Sequence, residues 1–196
     1  MIPNDKTLMD WSRTDPKGYD AWFKNISEKH KSQFMLTERF VMLTEAKVET
    51  EDLPKDVYVK SPLQRTVQII KRYRDLYYEN KDLVKTPVIS SIVLTTLLAQ
   101  SYDEELSIQA ALKNAMAKMK HLADDYKYKG IRFQVYNPID LYPDKEKREN
   151  FTDSWTDKHY ESYVGFVIDL ERKVTTFLSN STNEQNYKDL FGNGYY

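Results

Sequence analysis

Apolar positions recur at helical spacing along most of this chain. Residues 1–14 are polar, with Trp11 as a candidate anchor, and Asp15-Pro16 reads as an N-cap followed by proline at the first helical position. Tyr19, Trp22, Phe23, Ile26 and His30 then share one face, predicting a helix from Pro16 to about Met35. The segment from about Lys47 to Lys60 is acidic, carries Pro54 and reads as a loop. Ser61-Pro62 repeats the cap-plus-proline signal and opens a helix expected to end near Asn80. Leu63, Val67, Ile70, Arg74 and Tyr77 form its inner stripe, apolar apart from Arg74. Gln64, Gln68, Lys71, Asp75 and Tyr78 form the opposite, polar stripe.

The next helix is expected to start at Thr86-Pro87 and is apolar nearly all round, through Val88, Ile89, Ile92, Val93, Leu94, Leu97, Leu98 and Ala99. A helix of that kind sits at the centre of a bundle. Leu106, Ala110, Leu112, Met116, Met119, Leu122 and Tyr126 then predict an amphipathic helix closing near Gly130. Residues 131–136 alternate in polarity, which fits an extended run broken by Asn137-Pro138. From Glu146 the pattern reads as helical again, with Tyr160, Tyr163, Val164, Val167, Leu170, Val174, Phe177 and Leu178 on one face. The polar tail has room for one short helix. These patterns predict a mainly α fold, five to seven helices packed as a single helical-bundle domain. The expected divisions are a connecting segment over residues 1–14, a helical lobe over 15–180 and a tail over 181–196.

Composition narrows the chemistry. With 5 glycines among 196 residues, a Gly-rich phosphate loop or a hairpin-dense β fold is disfavoured. The chain has no cysteine, so disulfides, thiolate metal sites and cysteine nucleophiles are excluded. A net charge of −1 gives no global reason to expect nucleic acid or an anionic membrane as partner. No apolar run approaches the roughly 20 residues needed to span a bilayer. No secretory signal pattern opens the chain, so a cytoplasmic protein is expected. His30, His121 and His159 are scattered without metal-ligand spacing, and Asp103-Glu104-Glu105 and Asp124-Asp125 read as solvated helix ends. No metal ligand and no catalytic residue can be assigned.

One constellation does suggest chemistry. Lys71 lies on the polar side of a helix whose other side is buried, where an ammonium can serve as a point charge for a phosphate. Ser90 and Ser91 fall in the first turn of the next helix, where free N–H groups and the helix dipole favour an anion. The three groups could converge on one triphosphate. The plainer alternative is that Lys71, Arg72 and Arg74 are a solvated face and the serines are caps.

Several segments resemble the helical half of the bacterial CD-NTases, the cGAS/DncV-like nucleotidyltransferases. They are Ser61-Pro62-Leu63-Gln64-Arg65, Val67-Gln68-Ile69-Ile70-Lys71-Arg72-Tyr73-Arg74-Asp75 and Ile89-Ser90-Ser91-Ile92-Val93-Leu94-Thr95-Thr96-Leu97. The run from Trp11 to Tyr19 with Trp22-Phe23, then Asn137-Pro138, and Glu149-Asn150-Phe151 with Trp155, agree in order, so the resemblance covers almost the whole chain.

The resemblance implies the C-terminal lobe of a bilobed, polymerase-β-like enzyme. Such enzymes make cyclic di- or trinucleotides from nucleoside triphosphates, typically in antiphage signalling. It implies triphosphate contacts for Lys71, Ser90 and Ser91. Where animal relatives stack an aromatic ring on a base, this chain has Ile92, so no stacking role is carried over. It also implies an N-terminal lobe with a Gly-Ser loop and metal-binding carboxylates. Only ten residues precede Trp11, and no counterpart of those motifs is present. The expectation is therefore a lobe inactive alone, with Mg²⁺ bound only together with the catalytic half, which would be its partner. The alternative is a catalytically inactive nucleotide- or protein-binding helical module.

Overall fold

The computed structural model describes residues 2–3, 11–12, 15–29, 60–139, 148–179 and 183–192. Two short antiparallel strands, β1 (Ile2–Pro3) and β2 (Trp11–Ser12), precede six helices among those residues. These are α1 (Pro16–Glu28), α2 (Pro62–Tyr78), α3 (Ser91–Ser101), α4 (Ile108–Lys129), α5 (Asp157–Ser179) and α6 (Glu184–Phe191). The mainly helical architecture read from periodicity is the one observed.

The helix starts follow from capping chemistry. Asp15 accepts from the Gly18 N–H at 2.8 Å, with Pro16 behind it. Ser61 and Gln64 form a reciprocal capping box that satisfies two otherwise orphaned donors of α2. Ser107 caps α4 through the Ala110 N–H. Leu106, expected on the inner face of that helix, therefore precedes it and is exposed. At the other end of α4, Gly130 has φ +67° and closes the helix in a left-handed conformation. The expected termini shift elsewhere. Helix α1 spans Pro16–Glu28, with Met35, its expected end, outside the described residues, and α2 ends at Tyr78 rather than Asn80. His30, the 47–59 loop and Glu146 lie outside the described residues, and the helix expected from Glu146 begins at Asp157.

Helix α3 is central. Val93, Leu94, Thr96, Leu97, Leu98 and Ala99 are all buried, around its whole circumference. Helices α1, α2 and α4 pack on it, and the most extensive helix pairing is α4 with α5. Across that pairing the Tyr163 hydroxyl of α5 donates to the Met119 carbonyl of α4 at 3.2 Å, and the small Ala115 and Ala123 of α4 lie in the same core. The large Tyr163, Phe166, Val167 and Leu170 of α5 fill the space and are completely buried. Phe166 anchors an aromatic cluster with Tyr73, Tyr77 and Tyr78 of α2. Tyr78, read from the sequence as part of the polar stripe, is 5% exposed. The reason is that α2 is covered by α3, α4, α5 and α6, so its buried arc is wider than a single stripe.

The run 131–136 is extended, as its alternation predicts, with Phe133 and Val135 buried and Ile131, Arg132 and Gln134 exposed. Tyr136 bridges Asn150 antiparallel, and the Phe151 N–H donates to the Val135 carbonyl at 2.7 Å. Asn137 ends the run by accepting from the Ile139 N–H and donating to Glu149. The short helix α6 closes the far side of α2, placing Leu190 in the core and accepting the Arg72 Nε–H at the Phe191 carbonyl, 3.1 Å away. None of the helices described is long and apolar enough to cross a membrane.

Candidate functional site

The segment between α2 and α3 sets the site. Asp82 organises a turn that accepts from the N–H groups of Lys85 and Thr86. The sequence reading starts the following helix at Pro87. Residues 87–89 are instead non-helical, and α3 begins at Ser91. The cause is that this stretch is tied elsewhere. The Pro87 carbonyl accepts the Ser162 hydroxyl of α5 at 2.8 Å, and Ile89 is 2% exposed in the core. Ser162 spends its one proton on Pro87, so the Tyr78 hydroxyl must donate to Ser162 Oγ, 2.8 Å away. Burial, chiefly, pushes the Tyr78 phenol up to about 12.

With the helix starting later, Ser90 is its N-cap and Ser91 its first residue. Ser90 is exposed, and its hydroxyl makes no cap hydrogen bond. The first-turn N–H groups of α3, which have no intrahelical acceptor, are thus not covered by their own cap. Ser91 is half-buried. Its carbonyl accepts the Thr95 hydroxyl at 2.8 Å, and its own Oγ accepts a hydrogen bond from Arg74 Nη1.

Arg74 is the group that sequence reasoning left out of the site. It was the one charged residue on the inner stripe of α2, and that anomaly was the available signal. The Arg74 side chain is 13% exposed. It is held at a second point by Asp75, whose Oδ1 accepts from Nε at 2.9 Å and also from Nη2. Lys71, read from the sequence on the stripe opposite Arg74, lies three residues earlier and only about 60° round the helix from it; it is half-buried and makes no hydrogen bond or ion pair among the described residues. The Arg74–Ser91 bond therefore puts the flank of α2 that bears Lys71 beside the N-terminus of α3. Between them the two elements carry one ammonium, two hydroxyls and the first-turn backbone donors of α3. Ile92 is half-buried and packs on the core.

This corner is an open shelf. Open hollows lie elsewhere among the described residues. One of about 430 Å³ is lined by Tyr73, Tyr77, Asp169 and Asp189, and one of about 460 Å³ by Trp22, Gln100 and Arg148. In the first, Tyr73 donates to Asp169. Burial raises the Tyr73 phenol, and the Asp169 bond raises it further. Burial alone would raise Asp169, but hydrogen bonds from Tyr73 and Arg172 outweigh it and lower the carboxyl. The acidic groups there are matched by cations, Asp169 by Arg172 and Asp189 by Lys173. Among the described residues no group of three or more His, Asp or Glu side chains could hold a metal ion. Those residues do not fit a Mg²⁺ site.

No family model matches the chain. It is similar to a c-di-GMP synthase of Roseivirga ehrenbergii, with 31% identity over 192 residues. That alignment takes in 95% of this chain and 46% of the relative. Its fold is similar to that of the CD-NTase CdnG of Bradyrhizobium diazoefficiens, solved in complex with GTP, with a TM-score of 0.64 and 17% identity. That superposition covers 93% of this chain and 53% of the other. The chain thus spans about half the length of the proteins it matches.

Proposed function

From the premise that this chain is a relative of the CD-NTases, we propose that it forms the nucleotide-contacting C-terminal lobe of a cyclic-oligonucleotide synthase. The observation that carries the reading is the 31% identity to a c-di-GMP synthase along 95% of the chain. The corner between α2 and α3 gives it chemical content. Lys71 supplies a full positive charge to a triphosphate. Ser90, Ser91 and the first-turn N–H groups of α3 donate to its non-bridging oxygens, at the helix end where the dipole favours an anion. The donor nucleotide belongs to the ATP/GTP class, and the products are cyclic di- or trinucleotides that act in antiphage signalling in the cytoplasm. The reaction's Mg²⁺ and its carboxylates belong to the nucleotidyltransferase lobe, with which this lobe would share the cleft.

The test joins this chain to such a lobe and follows conversion of nucleoside triphosphates to cyclic products by mass spectrometry. Lys71→Ala is expected to raise KM or lower kcat about tenfold, the value of one charge-assisted phosphate contact. Unchanged KM and kcat would remove Lys71 from the site. Binding of triphosphates without turnover in the joined protein would favour the catalytically inactive binding module.

A further inference from the structure

We infer that Arg74 is a positioning residue: it aims the Ser91 hydroxyl at the nucleotide phosphates and holds Asp75 away from Lys71. The inference rests on the phosphate reading of the α2–α3 corner. A guanidinium carries only donors, so in the Arg74–Ser91 bond Ser91 Oγ must accept. Its own proton is then left to donate to a third atom. A hydroxyl in a helix usually turns back on the carbonyl three or four residues earlier, as Thr95 does on Ser91. For Ser91 the carbonyl four residues back is Pro87, already engaged by Ser162, and Val88 is outside the helix. The outward direction, toward the shelf, is the one left open.

The second half of the role follows from spacing. Lys71 and Asp75 are four residues apart on α2, the separation at which a lysine and an aspartate ordinarily pair. In the structure Asp75 instead accepts two N–H groups from Arg74. The Lys71 ammonium is therefore left for an external anion. Because Asp75 balances the Arg74 charge, the cation that meets the phosphate is Lys71. Arg74 acts through its neighbours.

The experiment titrates GTP, to millimolar concentration, into this chain and its variants, following backbone amide shifts at residues 90–92 by NMR. Thermal melts accompany each variant, to separate binding from folding. Ser91→Ala is expected to weaken GTP about 5-fold, the equivalent of one hydrogen bond. Arg74→Met is expected to weaken it at least as much, Arg74→Lys less, and Arg74→Met with Ser91→Ala no more than Arg74→Met alone. Asp75→Asn in the Arg74→Met background is expected to restore part of the loss by freeing Lys71.

Non-additivity is the signature of action through Ser91. Losses that multiply in the double variant would overturn the inference, since Arg74 would then contribute independently of Ser91. A loss in Ser91→Ala with none in Arg74→Met would overturn it while leaving the phosphate site standing. No effect of Ser91→Ala would overturn it too, with the Lys71 and Ser90 contacts left standing, and no binding by the parent chain would overturn both.

Discussion

Removing the Ser162 hydroxyl tests how the start of α3 is held. Ser162 links α5 to two other segments through two hydrogen bonds of 2.8 Å, one accepted from Tyr78 and one donated to Pro87. Tyr78 and Ser162 are each 5% exposed, so water does not readily replace what is lost. One buried and one part-buried bond at about 1 kcal/mol each give a cost of roughly 2 kcal/mol for Ser162→Ala, and the Tyr78 proton left without its acceptor carries it toward roughly 3 kcal/mol. For a chain of this length that is a fall in Tm of roughly 5–10 °C. Urea unfolding followed by far-UV circular dichroism measures it. Combining Ser162→Ala with Tyr78→Phe should cost about 1 kcal/mol less than the sum of the single effects, because the two variants share one bond. A Ser162→Ala midpoint equal to the parent's, or strict additivity with Tyr78→Phe, would refute the account of why α3 starts at Ser91.

Three further outcomes are expected. Thr66 is 1% exposed and its hydroxyl has no hydrogen-bond partner among the described residues, so Thr66→Val should raise stability by about 1 kcal/mol, read as a higher urea midpoint. Gly130 sits at φ +67°, and a methyl group on its Cα would meet nothing within 4 Å, so Gly130→Ala should lose about 1 kcal/mol through backbone conformation alone. Gly130→Asn should lose less, and the same urea midpoints rank the two. Burial raises Tyr78 and Tyr102 from 10.0 to about 12, so the folded chain keeps these protons after the unfolded chain has released them. Stability from this source is complete below pH 10 and is lost as pH rises from 10 toward 12, which unfolding curves across that range would show.

Much of the fold was legible because each helix announces itself locally. The Ser61-Pro62 start, the all-round burial of α3 and the Gly130 stop of α4 depend on residues within a turn of one another. What was hidden depends on distant partners. The start of α3 slips from Pro87 to Ser91 because a hydroxyl 75 residues later takes the Pro87 carbonyl. Tyr78 is buried because Phe166 and Ser162, far along the chain, cover it. At the candidate site, Lys71, Ser90 and Ser91 were identified by charge and helix position. The Arg74–Ser91 bond that joins their two helices needs the packing of α2 on α3, although a guanidinium on an apolar stripe already signalled a buried polar partner.

The closing of α2 by α6 has a consequence for synthesis. Arg72 and the Phe191 carbonyl that it binds are 119 residues apart, and Tyr73 and Asp169 are 96 apart. At about 5–20 residues per second, the ribosome needs roughly 6–24 s to make the chain between Arg72 and Phe191. Throughout that interval the flank of α2 that bears Ile69 and Leu76 lacks its cover from α6, while α3 and α4 are already available to pair with its other side. Helix α2 therefore matures in two stages, and a nascent chain stalled between α5 and α6 would present this apolar flank to chaperones. Arg72, next to Lys71 in sequence, is thus tied to α6, on a different side of α2 from the Arg74–Ser91 bond.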